Sequence, residues 1–229
     1  MAAGGEDTSC GAGDLPVMQS TRLTLALVLA GVALGGLALH DVPSAAAAAT
    51  PRVAAIQARL VELDYLPSTA VTGTMDARTL QAIVAFQGWE GLQRDGIAGP
   101  ATLRRLVGAA RPTPLPGSGL RIEIRVEPQV ALLVRGNRVV RAIHVSTGSS
   151  MTPTPEGDFR VYRKERESWS IPFRVWLPWA SYFSGGVALH GYASVPPFAA
   201  SHGCVRIPLA EAPTVYSFAR LGVSVRVVS

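Results

Sequence analysis

Ten residues, ARPTPLPGSG at 110–119, divide two hydrophobic periods that cannot belong to one kind of element. Before them, apolar side chains recur at helical spacing. VAAIQARLVEL places Val53, Ile56, Leu60 and Leu63 on one face, TLQAIVAF offers Leu80, Ile83 and Val84, and PATLRRLV opens on Pro100, which suits a first helical position. After them the period falls to two. RIEIRVE alternates Ile122, Ile124 and Val126 with charged residues, and ALLVRGNRVVRAIHV is two β-rich runs joined by Arg135-Gly136-Asn137-Arg138, a tight hairpin turn. A helical stripe and a pleated face need different partners, so two units are expected, joined by a partly extended proline-rich linker at 111–119.

Residues 50–110 read as three short helices with glycine-containing turns, a small bundle. A weak repeat with an offset of 23 relates Gly73, Thr79 and Leu80 to Gly96, Thr102 and Leu103. Residues 120–229 read as mainly β, a sandwich or a partly closed barrel: FRVYRKE and VSVRVVS are further strands, and LAEAPTVYSFARL is the one helix. The segments VAAIQARLVELDYL, TGTMDARTLQAIVAFQ and LQRDGIAGPATLRRL resemble the three-helix peptidoglycan-binding domain of cell-wall enzymes. The second turn keeps that family's D-G-x-x-G-P-x-T pattern from Asp95 to Thr102, whereas Thr72 and Asp76 of the first turn stand where the family has Asp and Gly. The resemblance implies peptidoglycan as partner; the residues alone imply a bundle or spacer.

Upstream, Leu23–Leu39 is apolar but for one Thr, follows Arg22 and leads into HDVPSAAAAAT, which offers A-x-A cleavage sites. A secretory signal over 18–49 is expected, or an uncleaved membrane anchor, since 17 residues is short for a span. Residues 1–17 resemble neither a signal n-region nor a folded segment, and Met18 is a candidate start. The first 50 residues hold one of the 21 basic and four of the 16 acidic side chains, so the exported part carries a surplus of eight positive charges. That surplus suits an anionic surface such as a cell wall; scattered basic residues on an exported chain argue against nucleic acid.

Cys10 precedes the apolar run, which leaves Cys204 as the one thiol of the exported part. An unpaired thiol in an oxidising compartment is inert, intermolecularly paired or reactive. A nucleophilic cysteine needs a nearby base or cation, because its free pKa is about 8.5. His190 in VALHGY and His202 in SHGCVR are the candidates; His144 reads as structural. Gly203 opens an approach to backbone N–H groups that could hold an oxyanion. A zinc site fits poorly, since one Cys and two nearby His give at most three ligands and no carboxylate lies between Gly185 and Leu209. Neither metal nor other cofactor is expected. WSIPFRVWLPWASYF, residues 169–183, reads as sandwich core or as a cleft wall, with Trp176 and Tyr182 closest to substrate.

STG at 146–148, TPEGDFRV at 154–161, GGVALHG at 185–191 and SHGCVRI at 201–207 follow the order and spacing of the L,D-transpeptidase catalytic domain, which the chain resembles from about 120 to 229. The resemblance implies Cys204 as nucleophile, His190 as general base, the Gly191 carbonyl as orienter of the imidazole, and the Gly203 and Cys204 amides as oxyanion donors. It gives Ser201, His202 and Arg206 to substrate. The expected activity is 3→3 cross-linking of peptidoglycan tetrapeptide stems through a thioester; the alternatives are an L,D-carboxypeptidase that uses water, or a non-catalytic wall-binding protein.

Overall fold

The computed structural model describes residues 45–229. The first 44 residues, and with them the apolar run of the signal or anchor reading, lie outside the described residues. The described residues make one compact unit.

Three helices come first: α1 (Ala45–Glu62), α2 (Ala77–Trp89) and α3 (Pro100–Gly108). The repeat seen in the sequence is built twice around a buried glutamine. Gln57 Oε1 accepts from the Thr72 and Gly73 amides while its Nε2 donates to Thr79 Oγ1 at 2.9 Å. Gln87 Oε1 accepts from the Gly96 amide at 2.9 Å, and its Nε2 reaches Asp95 and Thr102. Thr72 therefore does with a hydroxyl part of what Asp95 does with a carboxylate, since both accept from the glutamine amide. Asp76 caps α2 by accepting from the Thr79 amide at 2.7 Å, whereas α3 starts on Pro100 after Gly99.

Nine strands follow. The first sheet has the order β3-β2-β1-β9-β4, from β1 (Leu120–Arg125), β2 (Val130–Arg135), β3 (Arg138–His144), β4 (Gly157–Arg160) and β9 (Ser224–Val228). The second has the order β5-β6-β7-β8, from β5 (Arg163–Ser170), β6 (Val175–Ser184), β7 (Val187–Tyr192) and β8 (Val205–Pro208), with α4 (Ala212–Phe218) between β8 and β9. The architecture is a helical bundle followed by a two-sheet sandwich. The β2–β3 turn is the two-residue Gly136-Asn137 hairpin, with Gly136 at φ 61°. FRVYRKE is not one strand: it crosses from β4 to β5 and so from one sheet to the other. The aromatic segment forms the β5–β6 hairpin.

The two units share a core. On β2, Ala131 and Leu133 face the sandwich interior with Ile122, Ile143 and Val225. Their neighbours Val130, Leu132 and Val134 pack with Leu60, Ile83 and Phe86 of the helices. A strand buried on both faces is apolar throughout, which is why ALLV does not alternate. The helices come so close that a Cβ on Gly88 would lie 2.2 Å from the Pro128 carbonyl oxygen. The proline-rich segment is tied down: Arg111 pairs with Asp64 at 2.9 Å, and buried Glu123 accepts from the Leu115 amide and from Arg121 Nε at 2.8 Å.

Candidate active site

β7 and β8 pair in parallel, with Leu189 opposite Val205 and His190 opposite Arg206. Cys204 immediately precedes β8, so this pairing sets the thiol beside the end of β7. Its S–H points to the Gly186 carbonyl at 3.8 Å. His190 and Cys204, 14 residues apart in sequence, open onto one cleft of about 720 Å³.

The turn that carries the thiol is held by backbone and hydroxyl groups. Ser201 Oγ donates to the Cys204 carbonyl and accepts from the Gly203 amide at 3.1 Å. Gly203 sits at φ +109°, where a side chain would be strained. The segment 146–149, which follows β3, buttresses the turn: the Ser149 amide donates to Ser201 O at 2.9 Å, the Ser201 amide to Thr147 O at 3.0 Å, and Ser146 and Arg206 exchange both backbone bonds. Buried Thr154 accepts from the Gly148 amide and donates to Gly203 O, each at 2.9 Å. Gly148 is confined, since a Cβ there would lie 2.2 Å from Thr152 O and 2.6 Å from the Thr154 nitrogen.

His190 Nδ1 lies 2.9 Å from the Gly191 carbonyl oxygen. A carbonyl only accepts, so Nδ1 carries the hydrogen and Nε2 keeps its lone pair. Burial lowers the His190 pKa; the Gly191 bond works against that, and the charge of Arg206 adds to it. Burial raises the Cys204 thiol above its ordinary value, opposed by the Ala188 amide and Arg206. The resting pair is accordingly neutral thiol and neutral imidazole, an acid and a base with a proton still to transfer.

The other expected residues divide. Arg206 and Tyr182 line the cleft, Arg206 with its guanidinium 4.5 Å from the Tyr192 ring centre and Tyr182 with its hydroxyl 2.7 Å from Ser168 Oγ. His202 lines it too, its ring 4.7 Å from that of Phe173. Ser201 borders the cleft, but its hydroxyl is committed to the turn. The Gly203 amide, expected to face an oxyanion, is bonded to that hydroxyl instead. Trp176 is not in the lining; it meets Trp169, which is, at 5.1 Å between ring centres. Sequence reasoning missed Thr154 and Gly148 as supports of the turn, although both lie in segments it had singled out. It also missed Arg163 in the wall, whereas Phe173 lies there within the aromatic segment that it read as core or cleft wall. His144 is structural as expected: it is buried, with Nδ1 2.5 Å from Gln81 Oε1.

Comparison with known proteins finds two family models on the chain. Residues 120–227 match the model of the L,D-transpeptidase catalytic domain, and residues 49–106 that of a putative peptidoglycan binding domain. Among solved structures, an L,D-transpeptidase (residues 123–326) from Xylanimonas cellulosilytica is 35% identical, with 78% of this chain and 93% of that one covered and a TM-score of 0.71. An L,D-transpeptidase from Stackebrandtia nassauensis is 24% identical over 79% of this chain and 92% of its own, with a TM-score of 0.52, a likeness of fold. No curated protein matches the chain.

Proposed function

Since the chain belongs to the L,D-transpeptidase family, with a function in cell-wall peptidoglycan outside the cytoplasm, we propose that it forms 3→3 cross-links through a thioester on Cys204. The observation that carries this reading is the His190–Gly191 bond, which leaves Nε2 free as a base in the cleft that holds the thiol. His190 Nε2 takes the Cys204 proton as the sulfur attacks the carbonyl preceding the terminal D-Ala of a tetrapeptide stem. Negative charge gathers on the carbonyl oxygen, where the Cys204 amide is the donor left once Ser201 has engaged Gly203. The tetrahedral species collapses to a thioester, and the imidazolium returns its proton to the leaving amine of D-Ala. An amine of a second stem then attacks the thioester, His190 accepts its proton, and the thiolate is reprotonated.

Arg206 and His202 hold stem carboxylates beside the thiol. The helical bundle over 50–110 keeps the catalytic domain of 120–229 on the wall, and the segment over 18–49 exports the protein or anchors it. The test is product mass after incubation with a disaccharide tetrapeptide. A Cys204-dependent dimer lacking one D-Ala is expected. A Cys204-dependent tripeptide monomer would mean that water is the acceptor, and products unchanged in Cys204→Ala would sink the thioester.

A further inference from the structure

One cation of the cleft wall has no part in the chemistry above. Arg163 opens β5 and pairs across the hairpin with Tyr182, its guanidinium 3.8 Å from the Tyr182 ring centre. Ser168 pins that ring through the Tyr182 hydroxyl. Elsewhere in the same lining Arg206 is stacked in the same way on Tyr192. An arginine laid on an aromatic face keeps its N–H edge for an anion. The lining contains Arg163, Arg206, His190, His202 and the thiol, and no Asp or Glu. Among the described residues the one carboxylate paired with Arg163 is Glu165 at 3.4 Å, and both side chains are more than a third exposed. A surface pair of that kind contributes about 0–1 kcal/mol, so a substrate carboxylate can take Glu165's place.

We propose that Arg163 is a specificity determinant for the donor: with Arg206 it forms a two-cation cradle that selects stem peptides with free carboxylates over amidated ones. This rests on the reading that stem peptides are acylated at Cys204, and it adds which stems. A concave site lined by one sign of charge concentrates ligands of the other sign. Loss of one charge-assisted bond to a carboxylate weakens binding by about 10- to 100-fold.

The test separates binding from chemistry. Titration calorimetry of the full chain bearing Cys204→Ala, with tetrapeptide stems in free-acid form and with the carboxylates upstream of the terminal D-Ala amidated, is expected to show tighter binding of the free acid. Adding Arg163→Gln removes most of that preference, and adding Glu165→Gln instead strengthens it. With Cys204 present, Arg163→Gln raises KM for the free-acid stem by the same factor. Alkylation of Cys204 by iodoacetamide, a neutral reagent, reports that the site is intact in the Arg163→Gln and Glu165→Gln variants that keep Cys204. Equal binding of the two stems, or a preference untouched by Arg163→Gln, overturns the proposal. A preference for free acids in a protein that turns over no stem leaves Arg163 its role and removes the thioester reading instead.

Discussion

Cys204 and His190 are driven apart in proton affinity by the same burial, the thiol upward and the imidazole downward. A thiolate–imidazolium pair would give rapid alkylation already at weakly acid pH. Here the iodoacetamide rate is expected to stay low through neutrality and to keep climbing past pH 9; a plateau near pH 6 would contradict the neutral pair. Acylation, in which His190 acts as base, gains rate as pH rises through the lowered histidine value and is level at neutral pH. Its acid limb therefore lies below pH 6.5, the ordinary histidine midpoint, as a pH profile of kcat/KM for donor acylation would show. That Cys204 and His190 share one cleft was expected from the sequence because both sit in short glycine-rich motifs. Thr154 was not, because its role depends on a bond to Gly203, 49 residues away, and no local pattern records a contact of that span. Ser201 was placed on substrate for the same reason: the sequence shows a hydroxyl beside the site but not that the turn consumes it.

Elements decide how firmly that turn is held. Gly148 has no room for a side chain between Thr152 and Thr154. Gly148→Ala is expected to cost about 1–3 kcal/mol, as overpacking does, and to slow Cys204 acylation at least tenfold while the helices keep their circular dichroism. Normal acylation in this variant would show that the STG segment does not position the thiol. On β3, His144 is buried against Gln81, and burial, with the charge of Arg94 adding, pushes its pKa down to about 4. Its folded value lies below its unfolded one, so its contribution to stability is complete above about pH 6.5 and is lost as pH falls toward 4, on the order of 3 kcal/mol in all. The unfolding free energy from denaturant melts should fall more steeply with falling pH across that window in the wild type than in His144→Gln; equal pH dependence would contradict it. The hairpin at Gly136-Asn137 was readable from its turn residues. The break of FRVYRKE into β4 and β5 was not, because an alternating β-prone run looks the same whether it stays in one sheet or passes to the next.

At the scale of the molecule, the change of hydrophobic period marked the passage from helices to a two-sheet β fold, but the proline-rich segment between them does not keep bundle and sandwich apart. Arg111 and Glu123 fasten it, and β2 is shared by both cores. The run ALLV carried this information, since a strand with one wet face would alternate, yet a continuous apolar run does not say what covers each face. A shared core makes unfolding cooperative. Calorimetry is expected to show one transition for bundle and sandwich, and Gly88→Ala, which presses α2 against Pro128, should lower it as a whole. Two transitions, with only the first shifted, would mean independent domains. Coupling of this kind holds the cleft in a fixed relation to the helices.

The central claim is that Cys204 carries the donor stem as a thioester. With donor supplied and the acceptor amine withheld, intact-protein mass spectrometry followed by peptide mapping should find the stem, lacking its terminal D-Ala, on the peptide that contains Cys204. An adduct on another residue, or one that persists in Cys204→Ala, would contradict the account.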